Sequence, residues 1–318
     1  IEPRPLVAEL AVPHREPELW LARGLLKTAA TELGCHEVYN YSFVSDRLIA
    51  ACGAGGQPYV RVRNPVAPEL ARVRRHVLPS LLGSLAANLR DAEEVRLMEL
   101  GKGYHPEMPG DRNLPAEVFE LAFAFGHARG ADLYPVLRSG IASLLSRIGC
   151  ACSMTALAEP RDRGWIHPGR TVAIHAGTEE VGYVGTLHPE VAEALDLPLS
   201  TAIACLDLRA ILRAGQAPRQ MTPIPRFPSQ PVDVALVVPT SAKVAEVATF
   251  LRSVGGELVR AVELFEVYRG DRVPPGSKSL NFTVVLGAPD RTLTAEDEAR
   301  YLDRVRSECR SIGAELRG

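Results

Sequence analysis

At 318 residues the chain is long for one domain and comfortable for two. Hydrophobic residues make up 46% and charged residues 23%, ordinary values for a globular protein, and no apolar run approaches the roughly 18 residues needed to span a bilayer. With 36 basic against 38 acidic residues, the net charge of -2 argues against a free-standing nucleic-acid binder, so any RNA contact is expected inside a larger assembly.

The first residue is Ile1 and no signal-peptide pattern follows it, which is expected of a portion of a longer chain. The six cysteines, Cys35, Cys52, Cys150, Cys152, Cys205 and Cys309, are scattered and mostly in apolar surroundings. They read as reduced thiols of a cytoplasmic protein. Cys150 and Cys152 form a C-x-C, not the C-x-x-C of zinc and redox sites, and the histidines lack i, i+4 pairing. No metal site is expected.

A Pro-rich lead opens the chain. The spacing of Leu19, Ala22, Leu26, Ala29 and Leu33 predicts a helix over 18–33, stopped by Gly34. Strands are predicted over 38–44 and 59–63, the second ended by Asn64-Pro65. A helix over 79–90 starts on Pro79 and turns Leu81, Leu82, Leu85 and Leu89 inward. Residues 95–104 read as a strand. In 119–125, Phe119, Leu121, Phe123 and Phe125 share one face, with Glu120, Ala122 and Ala124 opposite. Asp132 is placed to cap a helix ending near Ile148, and shorter strands follow near 171–175, 181–187 and 203–208. Strands clustered without βαβ alternation imply an α+β unit around a mainly antiparallel sheet.

Four prolines between 215 and 228 mark a connector. The domains are set at 1–217 and 218–318. Beyond the connector the order is β-α-β-β-α-β: strands over 232–238, 258–268, 280–286 and 314–317, and helices over 243–254 and from Thr294, whose Asp297 forms a capping box. The second helix turns Tyr301, Val305, Cys309 and Ile312 inward. This is the ferredoxin-like arrangement, a sheet with helices on one face and the other open.

The segment ELFEVYRGDRVPPGSKSLNFTVVL, followed by DRTLTAEDE, resembles the ferredoxin-fold anticodon-binding domain that ends phenylalanyl-tRNA synthetase β chains. FPSQPVDVALVV resembles its first strand, with Val232 where the family usually has Arg; Glu266 stands where it tends to have Asp. Upstream, RNPVAPELARVRRHVLPSLLGSLAANL, VRLMELGKGY and WIHPGRTVAIHAGTEEVGYVGTLHPEV resemble successive segments of the same chain's synthetase-like domain.

The resemblance implies a non-catalytic, class II synthetase-like domain that docks to the catalytic α chain, followed by a domain that helps bind tRNA(Phe). It implies an (αβ)2 assembly in the cytoplasm. No cofactor is expected on this chain, with ATP and magnesium held in the assembled enzyme. Pyrophosphate displacement from ATP needs arginines on the phosphates. Arg96 and Glu99 are one residue too far apart for the family's Arg-x-Glu strand, and EEVGYVGTLHPEV has no Arg after its glycines. No catalytic residue is therefore assigned, and no editing domain is recognisable. His167 and Arg170 in HPGR read as a turn capped by the His, and His188 as the lead into a short helix from Pro189.

The α-chain surface is expected at Asn64, Arg72, Arg74 and Arg75, the leucines after Pro79 being this domain's own core. For the anticodon, Tyr268, Arg269, Lys278, Asn281 and Arg291 are the contact candidates, since single-stranded bases are read by stacking and base-edge hydrogen bonds. Phe265 and Tyr268 differ by three positions and so point to opposite faces unless a bulge intervenes. From Thr222 to Gly318, 13 Lys and Arg balance 13 Asp and Glu, which predicts weak tRNA binding by this domain alone. Two rivals are a single-chain organellar-type phenylalanyl-tRNA synthetase and a free-standing β-chain paralogue that binds a protein or small ligand.

Overall fold

A computed structural model describes residues 16–110, 114–157, 163–215, 221, 224–270 and 273–317. The chain divides into two compact units, Ile1–Arg219 and Gln220–Gly318. No helix among the described residues is long and apolar enough to cross a membrane.

The larger unit begins with α1 (Pro17–Glu32), whose buried stripe is Leu21, Ala22, Leu25 and Ala29. Leu19, expected inside, faces out. Two strand fragments, β1 (His36–Glu37) and β2 (Phe43–Val44), replace the single strand expected over 38–44. Then come α2 (Asp46–Ala51), capped by Ser45, and β3 (Arg72–Val73). The strand expected over 59–63 reduces to one bridge, Arg61 to Arg72, within an extended segment.

Next are α3 (Leu78–Asn88), β4 (Glu94–Pro109), β5 (Pro115–His127) and α4 (Tyr134–Arg147). The N-cap of α4 is Leu133, without a side-chain cap; Asp132, expected to cap the helix, stands one residue earlier and accepts the Tyr134 N–H at 3.1 Å. The unit closes with β6 (Ser153–Ala156), β7 (Ile166–Ala176), β8 (Glu179–Leu187), α5 (Pro189–Ala194), β9 (Ala202–Asp207) and α6 (Leu208–Ala214).

Seven strands form one sheet in the order β1-β4-β5-β9-β8-β7-β6. Only the short β1–β4 pairing is parallel. The alternation read in β5 holds, but both of its faces are buried. Leu121, Phe123 and Phe125 pack with α1, α4 and α6, through Leu25, Ile141 and Ile211. Ala122 and Ala124, opposite, accept Leu81, Leu82 and Leu85 of α3. Small residues on that face let a Leu-rich helix lie close against the strands. The leucines after Pro79 are thus this unit's own core.

The smaller unit runs β10 (Gln230–Pro239), α7 (Val244–Gly255), β11 (Val259–Tyr268), β12 (Ser277–Leu286), α8 (Ala295–Glu308) and β13 (Glu315–Arg317). The sheet order β11-β12-β10-β13 is the ferredoxin-like one. Val232, Val234 and Leu236 of β10 and Leu280, Phe282 and Val284 of β12 form its core with Val247, Leu251, Tyr301 and Val305 of the helices. The Thr294–Asp297 capping box is present. Within the described residues of this unit no element covers the other face of the sheet.

Candidate subunit and nucleic-acid interfaces

In the larger unit the chemistry-bearing residues gather where the segment 74–76 crosses β4. Successive odd positions of β4 face that segment, because side chains alternate along a strand. Gly101 and Gly103 make the approach possible. A Cβ on Gly103 would stand 1.9 Å from the Arg75 carbonyl oxygen, and one on Gly101 would meet the Arg74 guanidinium at 2.2 Å. The crossing is tied by a hydrogen bond from the Tyr104 N–H to the Arg74 carbonyl at 3.0 Å.

Arg74 is buried. Its Nη1 donates to Glu99 Oε1 at 2.7 Å and its Nε to the Lys102 carbonyl at 3.1 Å. Glu99 also accepts from Asn40, whose Oδ1 receives the Ser84 hydroxyl at 2.7 Å. Arg75 is buried too. It holds Glu107 with two 2.7 Å bonds and donates to the Pro58 carbonyl at 2.8 Å. That hydrogen bonding lowers the Glu107 carboxyl to about 2. Both arginines, expected on a partner surface, instead hold the fold together, because each finds a carboxylate on β4.

His76 completes the segment. Its Nδ1 lies 2.7 Å from Glu120 Oε1, and the Val77 N–H donates to Glu120 Oε2 at 2.7 Å. Burial alone raises the Glu120 carboxyl, but the His76 charge and these two hydrogen bonds outweigh it, and the net direction is down. His105 stacks edge-on to His76 at 5.0 Å, and its Nε2 is buried without a hydrogen-bond partner. Burial, then the neighbouring His76 and Arg75, lowers its pKa, so the ring stays neutral. Trp165, also buried, closes the site: it stands edge-on to His76 at 5.4 Å and donates from Nε1 to the Tyr183 hydroxyl at 3.0 Å. The space left among Tyr59, Arg74, Arg75, His76 and Trp165 is about 10 Å³, room for roughly one water.

The exposed side of this region is apolar. Tyr39 is 81% exposed, Tyr41 79% and Val66 104%, with Phe43 at 41%. Tyr41, Phe43, Asn64, Pro65, Val66 and Leu70 line a depression of about 270 Å³. Asn64 is exposed on this side. Arg72 is partly exposed and pairs with Asp46 at 3.0 Å. The tyrosines were missed because 38–44 read as a strand. The available signal was aromatic residues at 39, 41 and 43 with no apolar residue between them.

Two further expectations hold. His167 Nδ1 accepts the Gly169 N–H at 3.0 Å, making a capped turn, and Arg170 pairs with Asp132. His188 caps α5 by accepting the Glu190 N–H.

In the smaller unit the bulge anticipated as an exception is real. Leu264 pairs with Phe282 and Glu266 with Asn281, so Phe265 is the extra residue. Phe265 and Glu266 stand together opposite Asn281 and share the open face. Tyr268 pairs with Ser279 on that same face, so the bulge brings both aromatics to one side. Phe265 is 59% exposed, while the Tyr268 ring lies back over Gly270.

Asn281 is on the open face, donating to Glu266 at 2.6 Å, and Thr283 donates to Asp233 at 2.8 Å. Arg269 is exposed. Arg291 is held by Asp297, at 2.5 and 3.0 Å, beside the α8 cap. Lys278 does not fit a phosphate contact. It is buried, and its ammonium donates to the Thr240 and Ala242 carbonyls at 2.9 and 2.7 Å. The open face carries Asp233, Glu263, Glu266 and Glu315 against Arg317 and Arg260, the extra residue of a second bulge in β11. Four acids against two bases make it acidic.

Residues 5–208 match the family described as phenylalanyl tRNA synthetase beta chain CLM domain. The chain belongs to the phenylalanyl-tRNA synthetase β-chain family. Residues 225–317 match the ferredoxin-fold anticodon binding domain. The phenylalanine–tRNA ligase beta subunit of Moorella thermoacetica is 33% identical over 306 residues, which cover 92% of this chain and 37% of that one. The beta subunit of Geobacillus kaustophilus is 34% identical over 298 residues, covering 90% and 36%. The chain thus spans little more than a third of these relatives. A pyrrolysyl-tRNA synthetase from Desulfitobacterium hafniense shares the fold, with a TM-score of 0.50 at 19% identity over 64% of this chain and 69% of that one.

Proposed function

We propose that the chain serves phenylalanine–tRNA ligation as a scaffold, docking to the catalytic α chain through the apolar surface of Tyr39, Tyr41, Phe43 and Val66. That surface is the observation that carries the reading. Large aromatic residues left in water mark a binding site, and aromatics dominate interface energetics. Asn64 and Arg72 belong to its rim. The adenylation step, with its ATP and magnesium, falls to the α chain, in an (αβ)2 assembly in the cytoplasm. Two observations support this division. The sheet face beneath Arg74–His76 is filled by α3, Trp165 and Tyr183. The arginines beside it are committed to Glu99 and Glu107.

The test is co-expression with the α chain. The wild-type chain is expected to retain it on an affinity column, and Tyr39→Ser with Tyr41→Ser to lose it. Because both rings are exposed, the double variant keeps the stability of the free chain within about 0.5 kcal/mol per site. Undiminished α-chain capture by that variant, or ATP–pyrophosphate exchange by the chain alone, would contradict the reading.

The smaller unit meets tRNA with bases, not phosphates, towards its open sheet, because an acidic face repels phosphate and accepts hydrogen bonds from base amino groups. Phe265 offers the exposed ring. In the assembled enzyme Phe265→Ala is expected to weaken tRNA binding by about 1–3 kcal/mol, the worth of one stacked base. Filter binding across a salt series checks it. An unchanged affinity would remove Phe265 from the contact, and a flattened salt dependence would mean that phosphates lie there.

A further inference from the structure

Five of the six thiols, Cys35, Cys52, Cys150, Cys205 and Cys309, are buried. Cys150 and its half-buried neighbour Cys152 form a pair. Cys150 and Cys152 lie in the connector between α4 and β6 with their Sγ atoms 3.3 Å apart. Cys150 is buried and Cys152 half-buried. They form part of the wall of an open depression of about 810 Å³, where Gly149, Gly177 and Ala142 leave room and Met154 adds an apolar wall. Neither residue takes part in the surfaces described above.

We propose that Cys150 and Cys152 form a two-thiol capture site for neutral trivalent arsenicals of the organoarsenic oxide class. Three properties of the site select this chemistry. The first is donor number. A tetrahedral zinc ion needs four ligands, and among the described residues no group of three His, Cys, Asp or Glu could hold a metal. An arsenic(III) centre that already carries an organic arm needs only two new bonds. The second is separation. A pyramidal arsenic bridge holds two sulfurs near van der Waals contact, as the Sγ atoms stand here at 3.3 Å. The third is charge. Burial, then the neighbouring Cys150 thiol, pushes Cys152 up to about 12, which disfavours thiolate. The product of arsenical capture is neutral, so the site need not hold an anion.

The balance is simple. Two S–H bonds and the arsenic–oxygen bond break, two arsenic–sulfur bonds form, and the oxygen leaves as water with both thiol protons. Arsenic stays trivalent and no oxidant takes part. The organic arm projects into the depression.

Intact-mass measurement of the purified 318-residue chain with phenylarsine oxide, in thiol-free buffer, tests the site. The wild-type chain is expected to gain one phenylarsenic group per chain with loss of one water. Cys152→Ser, at a half-exposed position and checked for fold by circular dichroism, is expected to gain none, as is Cys150→Ser. A small dithiol such as 2,3-dimercaptopropanol should strip the group, and a monothiol at equal thiol concentration should not. An unmodified wild-type chain, wild-type uptake by Cys152→Ser, or equal release by the monothiol would each overturn the proposal.

Discussion

Replacing Arg74 with alanine is expected to lower the stability of the larger unit by about 3–5 kcal/mol, the cost of breaking a buried ion pair from one side. Arg74 is 4% exposed and Glu99 1%. With the guanidinium gone, the Glu99 carboxylate keeps only the donors of Asn40, at 2.6 and 3.3 Å, and has no cation. The Lys102 carbonyl loses its partner as well. Urea unfolding followed by tryptophan fluorescence measures the loss. A double variant, Arg74→Met with Glu99→Leu, separates pairing from burial: with both charges removed, much of the loss should be recovered. A loss for Arg74→Ala inside the ~0.5 kcal/mol typical of surface changes would show that Glu99 is solvated and the crossing over Gly101 and Gly103 looser than described.

The same crossing marks the limit of what a linear reading can find. Arg72, Arg74 and Arg75 look like a solvated charge run, because the partners of the two buried ones, Glu99 and Glu107, lie 25 and 32 positions away. Only the fold brings β4 beneath them. Residues 38–44 alternate well enough for a strand. The segment gives up ladder pairing there so that Asn40 can turn in to Glu99 and Ser84, which leaves Tyr39 and Tyr41 in water. The β-α-β-β-α-β order was legible because hydrophobic period and turn residues are local signals. The bulge at Phe265 was not, since a one-residue slip leaves no trace in the period of either flank. Lys278 shows the converse error. It lies inside β12, ahead of the strand expected over 280–286, and a Lys beside an open sheet reads as a phosphate ligand until its ammonium is seen to donate to the Thr240 and Ala242 carbonyls.

Trp165→Ala is expected to cost about 3–5 kcal/mol, as the loss of a fully buried large aromatic does. The ring is 1% exposed, belongs to the core between the sheet and α3, stands edge-on to His76 and bonds to Tyr183. Trp165→Phe divides that cost. Phenylalanine fills much of the volume but leaves the Tyr183 hydroxyl without its donor, a loss of about 1–3 kcal/mol for a buried polar group. The pair of variants also bears on function. Under the scaffold role proposed above, the alanine variant opens space beside His76 and Tyr183 without adding an arginine. It should unfold at lower urea and still give no ATP–pyrophosphate exchange by itself. A stable Trp165→Ala chain would mean the face was never tightly filled. Exchange activity in that variant would contradict the proposed scaffold role.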